Sequence, residues 1–178
     1  MHISHPSFAL KTRSLLAACS FAAGAFGTFA AMPAGAAELP LQPTLSLDAA
    51  RQVLAAAEAK AKAENWPCVI SVVDAGGAPV LLVRMDNAAV PAGVELAPGK
   101  ARTAALFRRP SGALEDAING PRPAAITARG YTLMRGGLPL SANGVVVGAI
   151  GVSADTPQHD EEIAKAGAAA LASFIAQK

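Results

Sequence analysis

The chain has few of the side chains from which most catalytic and metal sites are built. Its 178 residues include two cysteines, three histidines, one tryptophan and one tyrosine. Cys19, His2 and His5 fall in a leader-like N-terminal stretch, so Cys68 and His159 are alone beyond it. One cysteine excludes an internal disulfide. One cysteine and one histidine cannot form a zinc tetrad, a multi-histidine metal site or a recognisable Cys–His nucleophile pair. A hydrolytic triad lacks a recognisable arrangement for the same reason. No G-x-G-x-x-G or Walker-type loop follows a strand and opens a helix, which leaves nucleotide binding without support.

An excess of charge of one sign is also missing. The chain carries fifteen Lys and Arg against thirteen Asp and Glu, and Lys11 and Arg13 account for the whole difference. Both lie in a stretch from Met1 to about Ala36 that continues with an apolar run from Leu15 to Ala31 and ends in Pro33-Ala34-Gly35-Ala36. This is the pattern of a secretory leader with an A-x-A cleavage site after Ala36, and it implies a periplasmic or secreted protein. Leu16-Ala17-Ala18-Cys19 matches a lipoprotein box only superficially, since it opens the apolar run instead of closing it. The run is short for a membrane span, so stable membrane insertion is not expected. The balanced chain that follows has no global attraction for nucleic acid. Its cations are nevertheless bunched: Lys100, Arg102, Arg108, Arg109, Arg122, Arg129 and Arg135 face only Glu115 and Asp116 in that interval. These are either a regional anion-binding surface or solvated loop and helix faces.

Residues 37–178 read as one domain. Ser46 is an N-cap for a helix to about residue 65, with Leu47, Ala50, Val53, Leu54, Ala57 and Ala61 on its apolar stripe, closed by Trp66-Pro67. Cys68–Asp74 and Pro79–Asp86 form a hairpin through Ala75-Gly76-Gly77-Ala78, with strands covered on both faces. Asn87–Pro98 is a connection, and a helix runs from Gly99 to Pro110. Lys100, Thr103 and Phe107 share one of its faces. Ser111 opens a shorter helix to Ile118, Arg122–Arg129 is a loop with one helical turn, and Tyr131–Met134 is a further strand. The central feature is Arg135–Ser153, a hairpin turning at Asn143-Gly144 whose second strand is broken by Gly148 and Gly151. Glycines inside a strand mark either the close approach of a backbone, helix or ligand, or a bulge. Thr156-Pro157 starts a last helix, with Ile163, Ala166, Gly167, Ala170, Leu171 and Phe174 as its buried stripe. The fold class is α+β, with hairpins in an antiparallel sheet and helices covering it.

With these elements placed, the sequence resembles the GlcG/HbpS-type family of haem-binding extracellular and glycolate-operon-associated proteins. The same domain forms the C-terminal part of PduO-type cobalamin adenosyltransferases. The resemblance rests on an ordered set: Val72–Gly77, Arg84-Met85-Asp86-Asn87-Ala88, Lys100-Ala101-Arg102-Thr103-Ala104, Gly136–Leu140, Val147–Ser153 and Asp160-Glu161. It implies a central antiparallel sheet of about five strands flanked by helices in a profilin-like layered architecture, a homo-oligomer, and haem as cofactor. In one branch of the family the threonine of the K-A-x-T-A helix ligates iron, which maps to Thr103. Asn87, Ala154 and His159 depart from the family pattern.

A haem site needs an apolar slot, an axial ligand and cations for the propionates. The residues expected to form it are Thr103 as metal ligand, Lys100 and Arg102 as cations, and Phe107 as a stacking face. His159 is the one strong nitrogen donor, either a ligand or a surface residue at a helix start; Tyr131 and Met85 are weaker options. The function expected is an exported protein that buffers, carries or senses haem. Oxidative haem degradation, or binding of another small organic anion by an oligomeric module, stands as the alternative.

Overall fold

The computed structural model describes residues 40–177. The proposed leader therefore lies outside the described residues. Helix α1 (Leu47–Ala63) is followed by strands β1 (Val69–Asp74) and β2 (Pro79–Arg84), helices α2 (Gly93–Phe107) and α3 (Ser111–Ile118), and a 3-10 turn (Pro123–Thr127). Strands β3 (Gly137–Ala142) and β4 (Val145–Ser153) and helix α4 (Pro157–Ala176) complete the chain. The sheet has the order β2-β1-β4-β3 and every pairing is antiparallel.

Local chemistry sets most boundaries as expected. Ser46 Oγ accepts the Ala49 amide at 3.2 Å to cap α1, and Thr156 Oγ1 accepts the His159 amide to cap α4. Asn143 and Gly144 both have positive φ, 50° and 79°, as a two-residue hairpin turn of this hand requires. Asp74 Oδ1 accepts from both Gly76 and Ala78 and so tightens the β1–β2 turn.

Four expectations are corrected. The sheet has four strands, not five. Tyr131–Met134 does not pair as a strand because side chains take its backbone groups: Thr132 N–H donates to Thr103 Oγ1 and Met134 C=O accepts from Ser111 Oγ. Strand β2 is not covered on both faces. It is a half-exposed edge opening at Pro79, a residue compatible with an edge. Helix α2 begins at Gly93, six residues before the expected start, with Pro98 inside it. Packing outweighs the proline there. The Ala92 carbonyl already accepts from Glu95 and Leu96, and Gly93 lies so close to β1 that a Cβ on it would meet Val69 Cγ2 at 2.8 Å.

Helices cover both sides of the sheet. Ile70 and Val72 of β1 and Ile150 and Val152 of β4 join Val53, Ala57, Ile163 and Leu171 of α1 and α4 in the main core. On the other side, Val73 and Ala149 meet Ala101, Ala104 and Ala105 of α2. This second layer is tight because the strands offer glycine where the helix lies. Gly137 and Gly151 are cross-strand partners. A Cβ on the first would sit 2.2 Å from the Lys100 carbonyl oxygen, and on the second 2.1 Å from that of Ala97. Gly151 therefore answers to helix packing, not to a ligand. Gly148 is hemmed in by the Val73 carbonyl and Leu45.

Candidate functional site

The face of α2 that carries Lys100, Thr103 and Phe107 is fixed by the Gly137–Gly151 seat, and its three side chains meet different fates. Lys100 is 2% exposed, and its Nζ donates to Asp160 Oδ2 at 2.6 Å and to the Val152 carbonyl at 3.1 Å. It joins the helix layer to the start of α4 and is committed to an ion pair. Asp160 also accepts the Ala154 amide. Burial pushes the Asp160 carboxyl above its usual range, against the opposing pull of Lys100 and that amide. Thr103 is fully buried; its hydroxyl donates to the Gly99 carbonyl at 2.8 Å and accepts the Thr132 amide at 3.0 Å. It holds the 131–134 segment onto α2.

Phe107 opens the candidate site. Its ring meets Tyr131 edge-on, with centroids 4.9 Å apart. Arg108, in the left-handed region at φ 52°, ends α2 and turns the chain toward Arg109. Phe107, Leu114, Ala125 and Leu133 then wall a recess of about 250 Å³ that Arg109 and Arg122 also line. Leu133 is shared with a second recess of about 330 Å³ lined by Ile118, Ile126, Tyr131 and Met134. Each is near or below the low end of the roughly 300–1,000 Å³ that encloses a drug-sized ligand. A flat apolar body with anionic groups at its edge matches this lining, with the body between the aliphatic walls and the anions on the two guanidinium groups.

The other expected residues lie elsewhere. Arg102 packs against the β1–β2 turn at Gly77, apart from Phe107. His159 stacks on Trp66 with centroids 3.7 Å apart and planes 9° from parallel, and its Nδ1 lies 2.7 Å from Asp155 Oδ1. The Asp155 carboxyl is held below its usual range first by that bond. Lys60 lies 5.3 Å from the Trp66 ring centre. Met85 Sδ accepts from Cys68 Sγ at 3.7 Å beside the main core, and burial pushes the Cys68 thiol up to about 12, which leaves it unreactive. The structure thus gathers Thr103, Phe107 and Tyr131 on one side and leaves His159 and Arg102 apart. Asp160 as the partner of Lys100 was not anticipated. Its first-turn position reads equally well as a helix-dipole residue, and no local pattern points across sixty residues.

The residues fit haem in part. The aliphatic walls and the two arginines suit a porphyrin plane and its propionates. For iron, Tyr131 offers a phenol oxygen and Met134 a thioether at the second recess. Thr103 is fully buried and lines neither recess.

An antiparallel sheet with helices on both sides, bearing an apolar recess with two arginines in its lining, defines a layered α+β domain. Residues 45–169 match the family described as haem degrading protein HbpS-like, and the chain belongs to it. Protein GlcG of Escherichia coli K12 is 41% identical over 109 residues, which covers 61% of this chain and 81% of GlcG. Among solved structures, a double mutant of Streptomyces reticuli HbpS superposes with a TM-score of 0.69 at 31% identity, covering 78% of this chain and 94% of that one. The structure described as a PduOC:Heme complex superposes with a TM-score of 0.66 at 29% identity, covering 72% and 95%.

Proposed function

We propose that this chain is an exported haem-binding protein that buffers, carries or senses haem, held against Phe107 and Tyr131 with its propionates on Arg109 and Arg122. The observation that carries the proposal is the apolar recess at the end of α2 with two guanidinium groups in its lining. Membership of the family, and a relative described in complex with haem, point the same way. When bound, haem would supply redox-active iron; the chain's part is to seat the plane, pair its carboxylates and limit access of water. Export is supported by the leader pattern at residues 1–36. No helix among the described residues is long and apolar enough to cross a membrane.

The recesses are shallow, and Ile126 and Met134 beside them are 70% and 47% exposed. A homo-oligomer in which a second copy covers this face accounts for both. Light scattering giving a monomer mass would refute it.

One observation favours haem degradation as a second reading. No histidine or cysteine lines either recess; Tyr131 and Met134 are the residues there that would hold iron, and haem held so would supply iron chemistry with oxygen or peroxide. The test for binding is a haemin titration of the protein from Ala37 onward, followed in the Soret region. A saturable shift at a defined ratio of haem to subunit is expected, and no shift overturns the proposal. Product formation with a reductant or peroxide separates degradation from storage. Retained binding of small carboxylates without a Soret shift would favour an organic-anion module.

A further inference from the structure

A third recess, of about 180 Å³, lies where α2, the end of β4 and the start of α4 meet. Ser153 lines it and is 3% exposed, yet its hydroxyl has no hydrogen-bond partner among the described residues. No fully enclosed side-chain polar atom in the described structure is left unpaired, so the Ser153 hydroxyl faces open space, and the space beside it is this recess. Lys100 lines the same recess. Its ammonium carries three protons, of which Asp160 and the Val152 carbonyl take two. The Ser153 hydroxyl, open to the recess, and the third proton of Lys100 therefore have no protein partner beside one small cavity.

The charges around the recess decide what fits. Lys100 is neutralised by Asp160, and the Arg135 guanidinium by Glu161 and Asp116. Glu115 and Asp155 also line the cavity. Glu115 accepts the Arg135 amide and Asp155 lies against His159, so an added carboxylate would meet two acidic groups beside cations that are already paired. Val90, Leu96 and Met134 supply an apolar wall. The volume is roughly six times the ~30 Å³ share of one water in the liquid.

We propose that this recess binds a short neutral hydroxylated molecule, of about four carbons, through Ser153 Oγ and the third proton of Lys100 Nζ. One ligand oxygen accepts from Lys100, a hydroxyl exchanges a hydrogen bond with Ser153, and the carbon chain lies on Leu96 and Val90. The site is independent of the haem reading and excludes carboxylates, in contrast to the arginine-lined recess.

The test titrates the purified protein with 1,2-butanediol and, separately, with 2-hydroxybutyrate, following the backbone amide resonances of residues 153 and 154 by NMR. Saturable shifts with the diol are expected, in the millimolar range realistic for so small a ligand. Binding of the hydroxy acid should be at least ~10-fold weaker, since its carboxylate would be desolvated beside Glu115 and Asp155. Ser153→Ala should weaken the diol by about 10-fold, the value of one hydrogen bond. Val90→Phe, a loop substitution that touches neither polar group, should abolish the shifts by filling the cavity. Tighter binding of the hydroxy acid, shifts that do not saturate, or diol binding unchanged in both variants would overturn the proposal.

Discussion

Lys100→Met isolates the pair that ties α2 to α4. Methionine keeps the length of the apolar stem and removes the ammonium, which stands 2.6 Å from Asp160 Oδ2 with both residues at most 5% exposed. Asp160 would keep only the Ala154 amide. Removing one partner of a buried pair costs about 3–5 kcal/mol, because the remaining charge is desolvated without compensation. For a domain of this size that lowers Tm by on the order of 10–15 °C.

The pH dependence has a definite sign. The Asp160 carboxyl is raised by burial in the folded protein, and Lys100 opposes that rise. A carboxyl raised on folding contributes stability that is present below its unfolded value, about 3.9, and is lost as pH climbs through the folded value. Without Lys100 the folded value moves further up, so the variant suffers most at neutral pH and recovers toward pH 4. Urea denaturation at both pH values reads the difference. Lys100→Met combined with Asp160→Asn, which retains an acceptor for Ala154, should restore at least half of the loss at pH 7. A loss below about 1 kcal/mol at pH 7, a loss independent of pH, or strict additivity in the double variant would refute the assignment of this pair.

Other substitutions probe the remaining parts. Gly151→Ala places a methyl against the Ala97 carbonyl and should cost about 3 kcal/mol by lifting α2 from β4; full stability in chemical denaturation would contradict the seat. Thr103→Val should cost about 1–3 kcal/mol by leaving the Thr132 amide without its acceptor. Faster hydrogen exchange at Thr132 is its signature, and unchanged protection would show that the hydroxyl is not the tether. Arg109→Gln and Arg122→Gln should each weaken haemin binding several-fold and flatten its salt dependence, measured by Soret titration at low and high salt; unaltered affinity in both would move the propionates away from this recess.

Elements with a local cause were legible in the sequence, and contacts between distant segments were not. Ser46, Asn143-Gly144 and Thr156-Pro157 act through their own neighbours, so caps and turns could be read directly. The start of α2 could not, because Pro98 argues locally against a helix while Gly93 and Ala97 bury on the sheet. Tyr131–Met134 has the composition of a strand but spends its backbone groups on Thr103 and Ser111. The Lys100–Thr103–Phe107 face was correctly placed on one helix, yet one side chain enters an ion pair, one a backbone bridge and one a recess.

Composition and periodicity by themselves determined the α+β class, the order of helices and hairpins, and the strand glycines as positions of either close approach or a bulge. These follow from short-range sterics and from the spacing of apolar side chains, which act within a few residues. Only the tertiary structure decided that Gly137 and Gly151 seat α2, that Lys100 belongs to Asp160 and that Ser153 opens into a cavity. Each depends on which segments burial brings together across tens of residues, and the energy of burial is not directional enough for a single stretch of chain to encode its partner.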